Sequence, residues 1–88
     1  VQEGEIRELL QDTNPEAILW DGLGAAIIGC GGAFSQFVVI YSKKGIIEAL
    51  MTDNSWDREE AYEWYEFNVK GGYLGPHTPI VLEDDLPA

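Results

Sequence analysis

Apolar residues recur along this chain at helical spacing in some stretches and in unbroken runs in others. Over residues 2–12 they fall at Ile6, Leu9 and Leu10, the i, i+3, i+4 pattern of one helix face. Glu3 and Glu5 sit in the first turn, where negative charge suits the positive end of the helix dipole. Thr13-Asn14-Pro15-Glu16 then predicts a restart, with Asn14 as N-cap and Pro15 at the first helical position. A short helix over residues 15–21 follows. Gly22 stops it in the left-handed conformation, and Leu23 packs back on it.

Residues 25–41, AAIIGCGGAFSQFVVIY, change the pattern to continuous apolarity. Residues 25–30 and 37–41 predict two strands. The second is β-branched and aromatic throughout, as suits a strand covered on both faces or central in its sheet. The six residues between them are short enough for a hairpin. Ser42 is placed to cap a helix over residues 43–53 with a stripe of Ile46, Ile47, Leu50 and Met51, weakened in its first turns by Gly45. Asp53-Asn54 reads as a turn, and Ser55 as the cap of a longer helix over residues 56–70. On that helix Ala61, Trp64, Tyr65, Asn68 and Val69 share an inner face, with Tyr62 and Phe67 at its margins. Glu59, Glu63, Glu66 and Lys70 share the outer one. Gly71-Gly72 ends the helix and residues 73–76 form a turn. Residues 78–82 predict a third strand, which Pro79 confines to an edge or starts.

The sum is a single α+β domain over residues 1–88. A small antiparallel sheet, the hairpin plus the third strand, packs against two central helices. The N-terminal helix occupies residues 1–13, the α+β core residues 14–82, and a frayed acidic tail residues 83–88.

Charge sharpens the functional reading. Against 16 acidic residues the 88-residue chain has 5 basic ones, a net charge of −11. Nucleic acid and anionic membrane surfaces are repelled, since both are bound through Lys and Arg. Basic proteins are attracted. Hydrophobic residues make up 45% of the chain and aromatics 11%, enough to build a core, so the charge does not signal disorder. One cysteine permits no internal disulfide and suits a reducing, cytoplasmic setting. No apolar run is long enough to span a bilayer, and no basic-then-apolar order of a signal peptide is visible.

Candidate chemistry is sparse. Gly29-Cys30-Gly31-Gly32-Ala33-Phe34 approximates a dinucleotide-binding glycine loop. That loop must open a helix whose N-terminus holds the pyrophosphate, and here the next element is a strand. The glycines are more simply a hairpin or bulge. Cys30 and His77 are the one thiol and the one imidazole, on different elements with nothing to bring them into reach. One Cys and one His cannot build a structural zinc site, and the acidic runs lack a calcium-loop pattern. No catalytic, cofactor-binding or metal-binding residue is therefore assigned. Asn68 stands out as an amide among Trp64, Tyr65 and Phe67. Buried there, it needs partners, which the turn at residues 71–75 would supply; exposed, it offers a polar contact in a groove. Trp56 and Tyr73 flank the last helix. Aromatics beside carboxylates make good interface anchors.

Three segments carry a resemblance. They are Asn14-Pro15-Glu16-Ala17, then Ile46-Ile47-Glu48-Ala49-Leu50-Met51, then Glu59-Glu60-Ala61-x-Glu63-x-x-Glu66-Phe67-Asn68-Val69-x-Gly71-x-Tyr73-x-Gly75-x-x-Thr78-Pro79. Together they resemble a family of small, largely uncharacterised proteins of bacteria and their phages, over residues 14–82. The family pattern departs at Asp53-Asn54-Ser55-Trp56, where Asp-Gly-Met-Ser is expected, and at Gly31-Gly32, where fewer glycines are. The resemblance implies an intracellular α+β domain and adds no catalytic residue.

The leading expectation is a non-enzymatic, acidic protein-interaction module of phage or mobile-element type. It binds a basic protein partner or itself through Trp56, Glu59, Glu63, Glu66, Asn68, Tyr73 and His77. An enzyme or small-ligand binder with a pocket near Asn68, Tyr73 and His77 is the alternative, and a structural accessory subunit a third.

Overall fold

The computed structural model describes residues 3–20, 22–32, 37–70, 72 and 74–84. Helix α1 (Glu3–Thr13) leads through an extended segment and a short 3-10 turn (Gly24–Ala26) to strands β1 (Ile27–Gly31) and β2 (Val38–Ser42). Helices α2 (Lys43–Asn54) and α3 (Arg58–Tyr65) follow. A π-helical turn (Glu66–Lys70) and strand β3 (Ile80–Leu82) complete the α+β fold. Parts of five expected features lie outside the described residues: the start of the first helix, Asp21 at the end of the second, the hairpin tip at 33–36, Gly71 with Tyr73 in the following turn, and the tail beyond Asp84.

Helix α1 buries Ile6 and Leu10 while Leu9 stays exposed, so its apolar stripe is narrower than its spacing suggests. The expected second helix does not form. Asn14 builds a local turn instead: its Oδ1 accepts from Glu16 N at 3.2 Å, and its backbone oxygen accepts from Ala17 N at 3.1 Å. The donors that a helix would use then go to distant partners. Ile18 N donates to His77 O at 3.2 Å, and Trp20 N to the Tyr41 hydroxyl at 2.9 Å. A helix this short carries the nucleation cost for few bonds, and the long-range bonds win. Asn14 itself is buried, and its Nδ2 donates to Phe37 O at 2.8 Å. The amide thus ties the end of α1 to the approach of β2. Gly22 does take the left-handed conformation, at φ 79°, and Leu23 is buried behind it.

Strand β2 is central, paired antiparallel to β1 and parallel to β3. The sheet is therefore mixed; only its hairpin half is antiparallel as expected. The two helices between β2 and β3 return the chain to the end of the sheet from which β2 started, and such a crossover makes the strands parallel. Pro79 directly precedes β3, which lies at an edge, so the missing N–H costs no ladder bond. In β2, Val39 and Tyr41 are wholly buried, as are Ile46 and Ile47 of α2 and Ala61 and Tyr65 of α3. The Tyr41 ring lies 4.8 Å from that of Trp20. Helix α2 approaches the 3-10 turn so closely that a Cβ on Gly45 would stand 3.2 Å from Ala26 Cα. The glycine that weakens the helix on propensity is what lets it dock.

Two junctions set the last helices. Ser42 ends β2 and caps α2, its Oγ accepting from Gly45 N at 2.9 Å. Ser55 does not cap α3, as its position before Trp56 suggests. It closes α2 in the left-handed region at φ 56°, and Asp57 caps α3 through a capping box with Glu60. The tail is likewise not frayed at its start. Ser42 Oγ donates to Asp84 Oδ2, and Lys44 N to Asp84 Oδ1 at 2.9 Å. Lys43 Nζ lies 3.5 Å from Glu83 Oε2 and 5.3 and 5.5 Å from the ring centres of Tyr62 and Tyr65. A cation against two aromatic faces gains from both.

The hydrogen bonds from Ser42 and the Lys44 amide hold the Asp84 carboxyl below the usual carboxylate range. A depressed folded-state value stabilises the fold above the ordinary carboxylate pKa of about 3.9, and that contribution is lost as pH falls through the folded value. Asp84→Asn should therefore lower the urea midpoint at pH 7, with the gap to the parent protein narrowing towards pH 3. Removing the buried Asn14 amide as Asn14→Ala leaves the part-buried Phe37 carbonyl without this donor and should cost about 1–3 kcal/mol in urea unfolding.

Candidate functional site

The capping box fixes where α3 begins and therefore which residues it turns outward. Ala61 and Tyr65 face the core, and Glu59, Glu63 and Glu66 face solvent. Phe67 belongs with the outward set, and it is 87% exposed. On a helical wheel it falls between Glu63 and Trp64, at the margin of the inner face, and the structure turns it out to the glutamate side.

Three adjoining depressions run along this side of the molecule. The first, of about 360 Å³, is lined by Trp56, Glu60, Glu63, Trp64, Phe67 and Asn68. The second, about 550 Å³, shares Glu63 and Phe67 with it and adds Glu59, Tyr62 and Glu66. The third, about 250 Å³, shares Trp56 and Trp64 and extends to Asp53 and Asn54 at the end of α2. Among the described residues their linings hold five carboxylates and four aromatic side chains, and no Lys, Arg or His. Phe67 is the ridge between the first two. Lys70 stands at the border, 3.9 Å from Glu66 in an exposed pair of little energetic weight.

Of the residues expected to form a site, Trp56, Glu59, Glu63, Glu66 and Asn68 are brought together here. Asn68 is not the buried amide that its aromatic neighbours suggest. It is exposed, and its Nδ2 donates to Trp64 O at 3.0 Å, one turn back on its own helix. Water satisfies what the helix does not, so exposure carries no penalty. Tyr73 lies outside the described residues. His77 belongs to another place, with Nε2 3.2 Å from Glu16 Oε2 and Nδ1 3.1 Å from Asn14 Nδ2. The pocket expected near Asn68, Tyr73 and His77 is thereby split: Asn68 lines the Trp56–Phe67 groove, and His77 braces the Asn14 turn.

The remaining chemistry is similarly placed. Both ring nitrogens of His77 are engaged, so it is not poised as a base on the Cys30 thiol. Burial pushes that thiol up, away from the thiolate that a nucleophile requires. Among the described residues no group of three or more His, Cys, Asp or Glu is arranged to hold a metal ion. No helix among them is long and apolar enough to cross a membrane.

An aromatic ring this exposed contributes little to the fold. Phe67→Ser should leave the urea-unfolding free energy within about 0.5 kcal/mol of the parent protein. A larger loss would place Phe67 in the scaffold and not on a recognition surface.

No protein-family model matches the chain, and comparisons with curated proteins and with solved structures return no match.

Proposed function

We propose that this chain is a non-enzymatic, acidic protein-interaction module that docks a basic protein partner on the outer face of α3, around Phe67. The observation that carries the reading is the coincidence of four aromatic side chains and five carboxylates along adjoining grooves whose linings, among the described residues, include no cation. Interfaces bind through aromatic anchors in their centre, and opposite charge steers the encounter. Two copies of this face would oppose glutamate to glutamate, which disfavours self-association here. A self-associating form would have to use another surface, such as the edge strands with exposed Ile28, Ile80 and Leu82. The net charge of −11 argues against nucleic acid and anionic membranes as direct partners. A cytoplasmic setting and a phage or mobile-element source belong to the same proposal. An accessory role in a larger assembly would use the same face. The small-ligand reading loses its support with the separation of Asn68 from His77.

A photo-cross-linking residue at position 67, with one at exposed Glu8 of α1 as control, tests the docking face in cell extract. Position 67 should capture a basic protein and Glu8 should not. The yield should fall steeply between low and high salt, as for charge-steered contacts between exposed groups. Equal capture from both positions, or none from position 67, would count against the proposal.

A further inference from the structure

The first groove has a composition that selects among cations. Trp56, Trp64 and Phe67 give it aromatic walls, and Glu60, Glu63 and Asn68 give it acceptors. We infer that this groove is a guanidinium site: it receives an arginine side chain of the partner, stacked on the rings and hydrogen-bonded at its edge by the carboxylates. The inference rests on the reading that a basic protein docks on this face, and adds which side chain anchors it.

The groove is shallow and open to water, which decides between arginine and lysine. An ammonium is a compact, strongly hydrated charge and gains little by leaving water for an open groove. A guanidinium is planar and weakly hydrated; its faces stack on aromatic rings while its five N–H groups point outward in the plane. Such an ion needs flat apolar walls with acceptors at their rim. A carboxylate accepts that fork in a bidentate geometry.

The acceptors are already oriented. Glu60 Oε1 accepts from Asp57 N at 3.3 Å in the capping box, so this carboxylate is held by the helix start before any ligand arrives. Asn68 Nδ2 donates to Trp64 O, which holds the amide on the helix with its carbonyl oxygen as an acceptor. The walls are anchored too. Trp56 N donates to Met51 O at 3.1 Å, and Trp64 stands on α3 one residue before buried Tyr65. Preorganised groups lose less freedom on binding.

The test uses the intact chain labelled with ¹⁵N and follows the indole resonances of Trp20, Trp56 and Trp64. Three probes are titrated: a short arginine-rich peptide, its lysine counterpart of equal length and charge, and tetramethylammonium. The arginine peptide should move the Trp56 and Trp64 signals. Trp20, packed on Tyr41, should not respond. Its affinity should exceed that of the lysine peptide by about fivefold, the scale of a cation–π contact at an exposed site. Phe67→Ala and Glu63→Gln, both at exposed positions, should each weaken it by about two- to fivefold with the rest of the spectrum unchanged. Equal affinity for the two peptides would overturn the guanidinium site and leave the acidic docking face standing. Shifts of Trp56 and Trp64 by tetramethylammonium as large as those by the arginine peptide would overturn it in favour of an unselective cation cage. Silence of both indoles towards the arginine peptide would also overturn it. Cross-linking from position 67 then reports separately on whether the face docks a protein.

Discussion

Strand β2 passes into helix α2 with no residue between them, and most of the fold depends on that corner. Ser42 is the last residue of the strand and the cap of the helix, so its hydroxyl fixes the direction in which α2 leaves the sheet. The same hydroxyl donates to Asp84, which also accepts from the Lys44 amide. The carboxylate lies against the N-terminal amides of α2, where negative charge is favoured. It follows β3 by two residues, so this contact joins the far end of the sheet to the start of the helix. The mixed sheet and the helical layer are locked to one another at a single place.

From this corner the order reaches the outer face of α3 through Lys43. Its stem is buried and its ammonium is covered by the rings of Tyr62 and Tyr65 and by Glu83. A half-desolvated cation held by two aromatic faces of α3 sets the position of α3 against α2 more narrowly than apolar contact alone. Buried Tyr65 and Ala61 then define the inner side of α3, and geometry turns the glutamates and Phe67 outward. The π-helical turn that follows keeps Val69 in the core while the chain widens towards Gly72. Of the groups of the outer face, Glu59, Glu63, Trp64, Glu66 and Phe67 thus stand on helical backbone, whereas Trp56 lies in the connection between α2 and α3.

What the sequence makes legible is what is decided locally. The Ser42 cap, the Ile46-Ile47-Leu50 stripe and the buried run of β2 follow from spacing and residue type, and all three are in the fold. What it hides is settled by partners distant in the chain. Asn14 has the local chemistry of a helix cap, but Phe37, Tyr41 and His77 take the hydrogen bonds of its neighbourhood and the helix is never made. The direction of β3 depends on how two helices stack, which periodicity does not encode. The acidic tail reads as solvated because its partners, Ser42 and Lys44, are forty residues away. Ser55 and Asp57 are both good caps, and only the left-handed end of α2 decides between them. On the candidate face the glutamates were readable from the wheel, whereas Asn68 was misplaced by its aromatic neighbours and Phe67 by its hydrophobicity.

The charge of the chain is distributed in a way that bears on that face. Of the basic residues, Arg7 pairs with Glu3 on α1, and Lys43 is enclosed between α2, α3 and the end of β3. Lys70 reaches only the border of the grooves, and Lys44 and Arg58 stand in the first turns of α2 and α3, outside the groove linings. Several acids are likewise engaged by the scaffold: Asp57 and Glu60 in the capping box, Asp84 at the Ser42 corner. Once these are set aside, much of the excess negative charge on the helical layer falls on Glu59, Glu63 and Glu66, around exposed Phe67. Like charges along one helix face lower its stability, since repulsion at i, i+3 and i, i+4 works against the fold. Nothing in the packing of α3 requires carboxylates there, for its core contacts are made by Ala61 and Tyr65 from the opposite side. That repulsion is offset in part at both ends: Glu59 lies in the first turn of α3, where negative charge suits the helix dipole, and Glu66 pairs with Lys70.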